Sequence, residues 1–223
     1  MGTSNHRRLI PEYIQKRFLA FMAPFVNLFA RWAWSPNAFT VSGVIITTAA
    51  AMTFLFGHVR LGGALVLLGG LCDAIDGNLA RSTSKTTRFG ALFDSTIDRY
   101  SEFIMFFGLA AHFVLIRQYG TAIASFFALT GSMMVSYTRA RAESLGFDAK
   151  VGIMQRPERI VFLGLGALIH PVALGIAIWL IAACANYTAM QRIRHAYKQD
   201  APNGEDKSLA NPDYTRQPRQ SRS

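Results

Sequence analysis

The stretch DAIDGNLARSTSKTTRFGALFDSTID, Asp73 to Asp98, sets four aspartates between two apolar runs. Asp73 and Asp76 are spaced i, i+3, and Asp94 and Asp98 are spaced i, i+4, so each pair occupies one face of a helix. The turn between them, Ser82 to Phe89, is short, which predicts antiparallel helices with the two pairs brought together. Four mutually close carboxylates repel, or take up protons, unless cations are present. Oxygen donors of this hardness suit Mg²⁺ or Mn²⁺, and four of them can hold two ions. The competing reading is a set of separate salt bridges, for which Arg81 and Arg88 are the basic residues at hand and for which the paired spacing is not needed. Gly77, Ala80 and Gly90 lie near the acids at helical intervals and let a bulky ligand approach the backbone, although single small residues also serve ordinary membrane-helix packing. Arg81 adds a fixed positive charge suited to phosphate.

The flanks explain why these acids are unusual. The chain has 223 residues, 51% of them hydrophobic and only 16% charged, against roughly 25% charged in soluble domains. No Lys, Arg, Asp or Glu occurs between Arg31 and Arg60, and Phe39 to Gly57 is long enough to cross a hydrocarbon core of about 30 Å. A second span starts at Leu61, a third covers Phe89 to Ile116 and a fourth Gln118 to Thr138. The uncharged run from Ile160 to Gln191 is interrupted at His170-Pro171, which predicts a short fifth span, a tight turn and a full sixth. At 1.5 Å per residue, a helix entering at Leu61 carries Asp73 only about 18 Å across, a depth at which carboxylates face a bundle interior or a wet cavity.

The predicted fold class is therefore an all-α integral membrane protein with six transmembrane helices and an N-terminal amphipathic interfacial helix. Basic residues sort with that layout. Arg81, Lys85 and Arg88 follow span two, Arg139, Arg141, Lys150 and Arg156 lie between spans four and five, and Arg192, Arg194 and Lys198 follow span six. Only Arg60 and Arg117 fall on the other side, so both ends are expected in the cytoplasm. Residues 1–34 are read as the interfacial segment, its basic residues mixed with Leu, Phe, Met and Trp and suited to anionic lipid; a signal peptide is the alternative. Residues 35–198 form the six-span domain and 199–223 a polar, disordered tail. Cys72 and Cys184 show no metal-ligand or disulfide spacing and read as packing thiols. The net charge of +10 follows the basic loops, and no nucleic-acid partner is expected.

Asp73 to Asp98 resembles the signature of the CDP-alcohol phosphatidyltransferase family, D-x2-D-G-x2-A-R-x8-G-x3-D-x3-D, with every fixed position filled. The resemblance implies that Asp73, Asp76 and Asp94 bind two divalent ions, Mg²⁺ or Mn²⁺. Asp98 stands with these metal residues and, close to the acceptor hydroxyl, is the catalytic candidate, a general base. Asp73, Gly77, Ala80, Arg81 and Gly90 would hold the cytidine and diphosphate of a CDP-lipid such as CDP-diacylglycerol. The same resemblance implies a homodimer in a bacterial or archaeal cell membrane, with the site on the cytoplasmic side.

A second set of charges bears on the acceptor: Arg139 near the end of span four, Arg156 and Arg159 at the start of span five, and Arg192 at the end of span six. Arg159, counted back from Ile169, lies about 15 Å into the core and needs an anionic partner. Glu158 or Glu143 could be that partner; the alternative is an acceptor carrying its own phosphate. SYTRARAESLG (136–146) and QRPERI (155–160) look like the corresponding stretches of the family members that use inositol phosphate, in which a Lys and two Arg grip the acceptor phosphate. The matching positions are Arg139, Arg159 and Arg192, with Arg139 standing where those relatives have Lys. Inositol phosphate is the expected acceptor, with glycerol phosphate, serine or another alcohol as alternatives. An ion-coupled transporter is the reading from another class, since intramembrane acids also mark ion pathways.

Overall fold

A computed structural model describes the backbone of residues 36–82 and 87–200, and the side chains of 40–75 and 87–200. Six helices account for almost all of it: α1 Pro36–Leu55, α2 Val59–Ser82, α3 Arg88–Leu115, α4 Tyr119–Ser144, α5 Arg156–Ile169 and α6 Pro171–Asp200. No strand occurs among the described residues. The interfacial segment expected over 1–34 lies outside the described residues, as does the tail beyond Asp200. Gln199 and Asp200, expected in that tail, instead extend α6.

Local chemistry sets the helix boundaries. Gly57, at φ 81°, turns the chain after α1. Thr87 caps α3 by accepting a hydrogen bond from the Gly90 amide at 2.9 Å. At the start of α5 the Gln155 amide donates to Glu158 Oε2 at 3.1 Å, a reciprocal cap, and Pro157 sits in the first turn. His170 is extended, at φ −165° and ψ 147°, because Pro171 disfavours helical geometry in the residue before it. The expected break between fifth and sixth helices therefore falls at His170. Helix α4 runs past its expected end at Thr138 to Ser144, its polar last turn supported by an Arg139–Glu143 ion pair at i, i+4.

The principal helix contacts close a ring: α1 touches α2 and α3, α2 touches α5, α5 touches α6, α6 touches α4, and α4 touches α3. Inside the ring lie Phe54, Phe106, Leu109, Leu163, Ile178 and Ile181. Outside it, large apolar side chains such as Phe56, Leu61, Phe107, Phe127, Ile169 and Trp179 are exposed. One described helix, Pro171–Asp200, is long and apolar enough by length and composition to cross a membrane, and the part of α1 with described side chains, Thr40–Leu55, is a shorter apolar stretch. The 14-residue length of α5 keeps it from meeting the same measure.

Small residues let the helices that carry the site approach closely. A Cβ on Gly63 of α2 would stand 2.8 Å from the Gly164 carbonyl oxygen of α5, and one on Gly70 would stand 2.6 Å from Ile160 Cγ2. A Gly63→Leu substitution is expected to push α2 off α5 at a cost of about 1–3 kcal/mol, seen as lower thermal stability in detergent. Ala64→Leu, on the exposed face one residue on, should leave stability unchanged.

Candidate active site

Because neighbouring helices alternate in direction, the second half of α2, the first half of α3, the end of α4, the start of α5 and the later part of α6 meet at one end of the ring. Asp73 comes from α2, and Asp94 and Asp98 from adjacent turns of α3. Their three carboxylates lie close enough to act on one another electrostatically. The side chain of Asp76, one turn beyond Asp73, lies outside the described residues, and so do the side chains of Ala80 and Arg81 and the surroundings of Gly77.

A guanidinium stands between two of the acids. Arg156, the first residue of α5, places Nη2 2.7 Å from Asp73 Oδ2 and Nη1 2.6 Å from Asp98 Oδ2. The nearby basic residues weighed from sequence were Arg81 and Arg88; Arg156 is the counter-ion that reasoning missed, because α2, α3 and α5 meet only in the folded ring. Its one sequence signal was a lone charge cluster, QRPER, at the head of an apolar helix. In this geometry no three acidic side chains among the described residues form a set for one metal ion. Gly43 of α1 gives Asp73 room on the other side, since a Cβ there would lie 3.0 Å from Oδ1.

Next to Asp98 a cavity of about 300 Å³ opens between α3, α4, α5 and α6. Its charged lining comprises five arginines and three acids, among them the three predicted acceptor residues Arg139, Arg159 and Arg192. Arg139 sits at the rim, its Nε 2.9 Å from Glu143 Oε1 with both side chains partly exposed. Arg192 is buried and braces the α4–α5 loop, donating through Nε to the Val151 carbonyl at 2.9 Å and through Nη1 to the Val135 carbonyl.

Arg159 is also buried, and its partner is Glu102: Nη2 lies 2.5 Å and Nε 3.2 Å from Oε1. This corrects the expectation that Glu158 or Glu143 would be the intramolecular partner. Glu158 is committed to the α5 cap through Oε2 and Glu143 to Arg139, whereas Glu102, one helical turn past Asp98, faces α5. Arg159 Nη1 is buried with no hydrogen-bond partner. An unpaired buried donor on a charged group is costly, and an anion in the cavity is the natural acceptor.

Gly90 stands at the start of α3. A Cβ there would meet only Thr87 Oγ1, at 2.9 Å, and otherwise open space, so the backbone at this point is approachable.

The profile of the CDP-alcohol phosphatidyltransferase family matches residues 33–190. The archaetidylinositol phosphate synthase of Methanothermobacter thermautotrophicus is 34% identical over 195 residues, 85% of this chain and 97% of its own length. Among solved structures, the phosphatidylinositol phosphate synthase of Mycobacterium tuberculosis with CDP-DAG bound superposes with a TM-score of 0.71 at 31% identity, over 82% of this chain and 96% of that one. The same enzyme in complex with manganese and citrate gives a TM-score of 0.72 at 32% identity, over 82% of this chain and 91% of that one. With a helical ring that matches those structures and a family profile spanning most of its length, the chain belongs to the CDP-alcohol phosphatidyltransferase family.

Proposed function

We propose that the chain transfers the phosphatidyl group of CDP-diacylglycerol, or of a related CDP-lipid, to a hydroxyl of inositol phosphate and releases CMP in phospholipid synthesis. The observation that carries this reading is the arginine-lined cavity beside Asp98, in which a buried guanidinium keeps one donor unused. A phosphorylated acceptor fits such a cavity; serine would offer only a carboxylate to its five arginines. The relatives named for inositol phosphate products support the choice.

Asp73, Asp94 and Asp98 offer only carboxylate oxygens, the donor type that Mg²⁺ or Mn²⁺ takes, and Asp73 and Asp98 face Arg156 in the present geometry. With Asp76 they would hold two ions, and the manganese complex of the related enzyme supports the metal class. When bound, such ions neutralise the diphosphate and stabilise the charge that develops at phosphorus. Gly77, Ala80, Arg81 and Gly90 hold the cytidine diphosphate portion. Arg139, Arg159 and Arg192 grip the acceptor phosphate and point a hydroxyl toward Asp98. The Asp98 carboxylate takes the hydroxyl proton while the hydroxyl oxygen bonds to the lipid-linked phosphorus and the bond to CMP breaks.

The six helices are read as six spans with both ends and the site cytoplasmic. Exposed apolar side chains around the ring and the gathering of ionic residues at one end support this placement. The nucleotide can then reach the site while the acyl chains stay in lipid. Residues 1–34 as an interfacial helix and a homodimer complete the proposal.

An acceptor screen in membranes with labelled CDP-diacylglycerol tests it. Lipid product is expected from inositol phosphate and not from free inositol, glycerol phosphate or serine. Product from serine alone would overturn the acceptor assignment, and absence of CMP release with every acceptor would favour a transporter. Arg139→Ala should raise KM for inositol phosphate about tenfold, the loss of one charge-assisted hydrogen bond, with KM for the CDP-lipid unchanged.

A further inference from the structure

Arg156 is held by a rigid base and by two acids from different helices. The reciprocal cap between Gln155 and Glu158 fixes the start of α5, and Pro157 follows in its first turn. From there the guanidinium forks onto Asp73 Oδ2 at 2.7 Å and Asp98 Oδ2 at 2.6 Å. Its Nε is buried with no hydrogen-bond partner, so the fork is anchored at one end only. The same side chain lines both the arginine cavity and a smaller recess beside Asp73 and Glu102, and so stands at the boundary between the acids and the anion-binding arginines.

A guanidinium and a dication that share the same two carboxylates repel each other, so each lowers the other's hold on the pair. A divalent ion needs bare oxygens at about 2.0–2.6 Å, and Arg156 now covers one oxygen of each. A single positive charge also balances two carboxylates only in part, so a dication is the stronger counter-ion for the set. We propose that Arg156 is a positioning residue that competes with the divalent ion for Asp73 and Asp98. Without metal it keeps the two acids facing each other across α2 and α3. When metal enters, the guanidinium gives up both acids and turns into the adjoining cavity, adding a charge beside Arg139, Arg159 and Arg192 where the anionic substrate binds. Metal loading thereby primes the site for anion, and anion binding that draws Arg156 away tightens the metal site by the same factor.

This inference rests on the metal reading above, and the test separates the two. Mn²⁺ alone is titrated into the full-length protein in detergent, with free Mn²⁺ followed by electron paramagnetic resonance and no lipid or acceptor present. Removing a competitor raises apparent affinity, because the competent state no longer has to be populated against the ion pair. Arg156→Gln is expected to bind Mn²⁺ about tenfold more tightly than the unmodified protein, a 1.4 kcal/mol change. Arg156→Lys, which keeps the charge but cannot fork, should fall between. In EDTA, Arg156→Gln should unfold at a lower temperature than the unmodified protein, and Mn²⁺ should abolish that difference. Equal or weaker Mn²⁺ binding by both variants would overturn the competition. Absence of Mn²⁺ binding by the unmodified protein and the variants alike would overturn the metal reading and this inference with it. Loss of acceptor preference in the screen would touch neither.

Discussion

Asp98→Asn is expected to lower the rate of CMP release by about 10³-fold, within the range that a positioned general base contributes, while CDP-lipid binding is retained. The carboxylate stands where the arginine cavity meets the acid pair, one of its oxygens on Arg156 and the residue itself in the cavity wall. An asparagine keeps the shape and can still accept a hydrogen bond, but it takes no proton from an alcohol at neutral pH. Turnover measured from labelled CDP-lipid, with equilibrium binding of the same lipid beside it, separates a chemical defect from a binding one. Ordinary activity in the Asn variant would remove Asp98 from this role.

The largest stability effect is expected at Glu102. Its pair with Arg159 is buried on both sides, the side chains 5% and 1% exposed. Removing one member leaves the other charge in a poorly solvated site, so Glu102→Ala should destabilise the protein by about 3–5 kcal/mol. The double variant Glu102→Leu with Arg159→Leu should recover much of that loss, since two apolar side chains carry no unpaired charge. Unfolding midpoints in detergent give the comparison. A single variant as stable as the original would show that water or another group compensates Arg159 freely. Glu102→Gln keeps an oxygen acceptor for the guanidinium and should fall between in stability. It should also raise KM for the acceptor, because Arg159 loses the charge that orients it.

Helix positions were legible from the chain because they depend on near neighbours. Apolar runs, Pro171 and the acids at i, i+3 and i, i+4 all act within a few residues, and the six predicted segments overlap the six helices. Helix ends were less legible. Helix α4 continues into a polar turn held by Arg139 and Glu143, and α6 runs to Asp200, both beyond the point where apolar character stops. The three predicted acceptor arginines share one cavity lining, which spacing along the chain could not show, since they come from α4, α5 and α6.

The aspartate signature by itself pointed to the family through its resemblance to the family's pattern, and the helical period dictated which carboxylates share a face. Only the tertiary structure decided which cation meets which acid. Arg156 reaches Asp73 and Asp98, and Glu102 reaches Arg159, because glycines let α2 lie close against α5 while α3 faces the same end of the ring. Ion pairing depends on distance in space, and residues far apart along a chain carry no local mark of the partner that folding will bring to them.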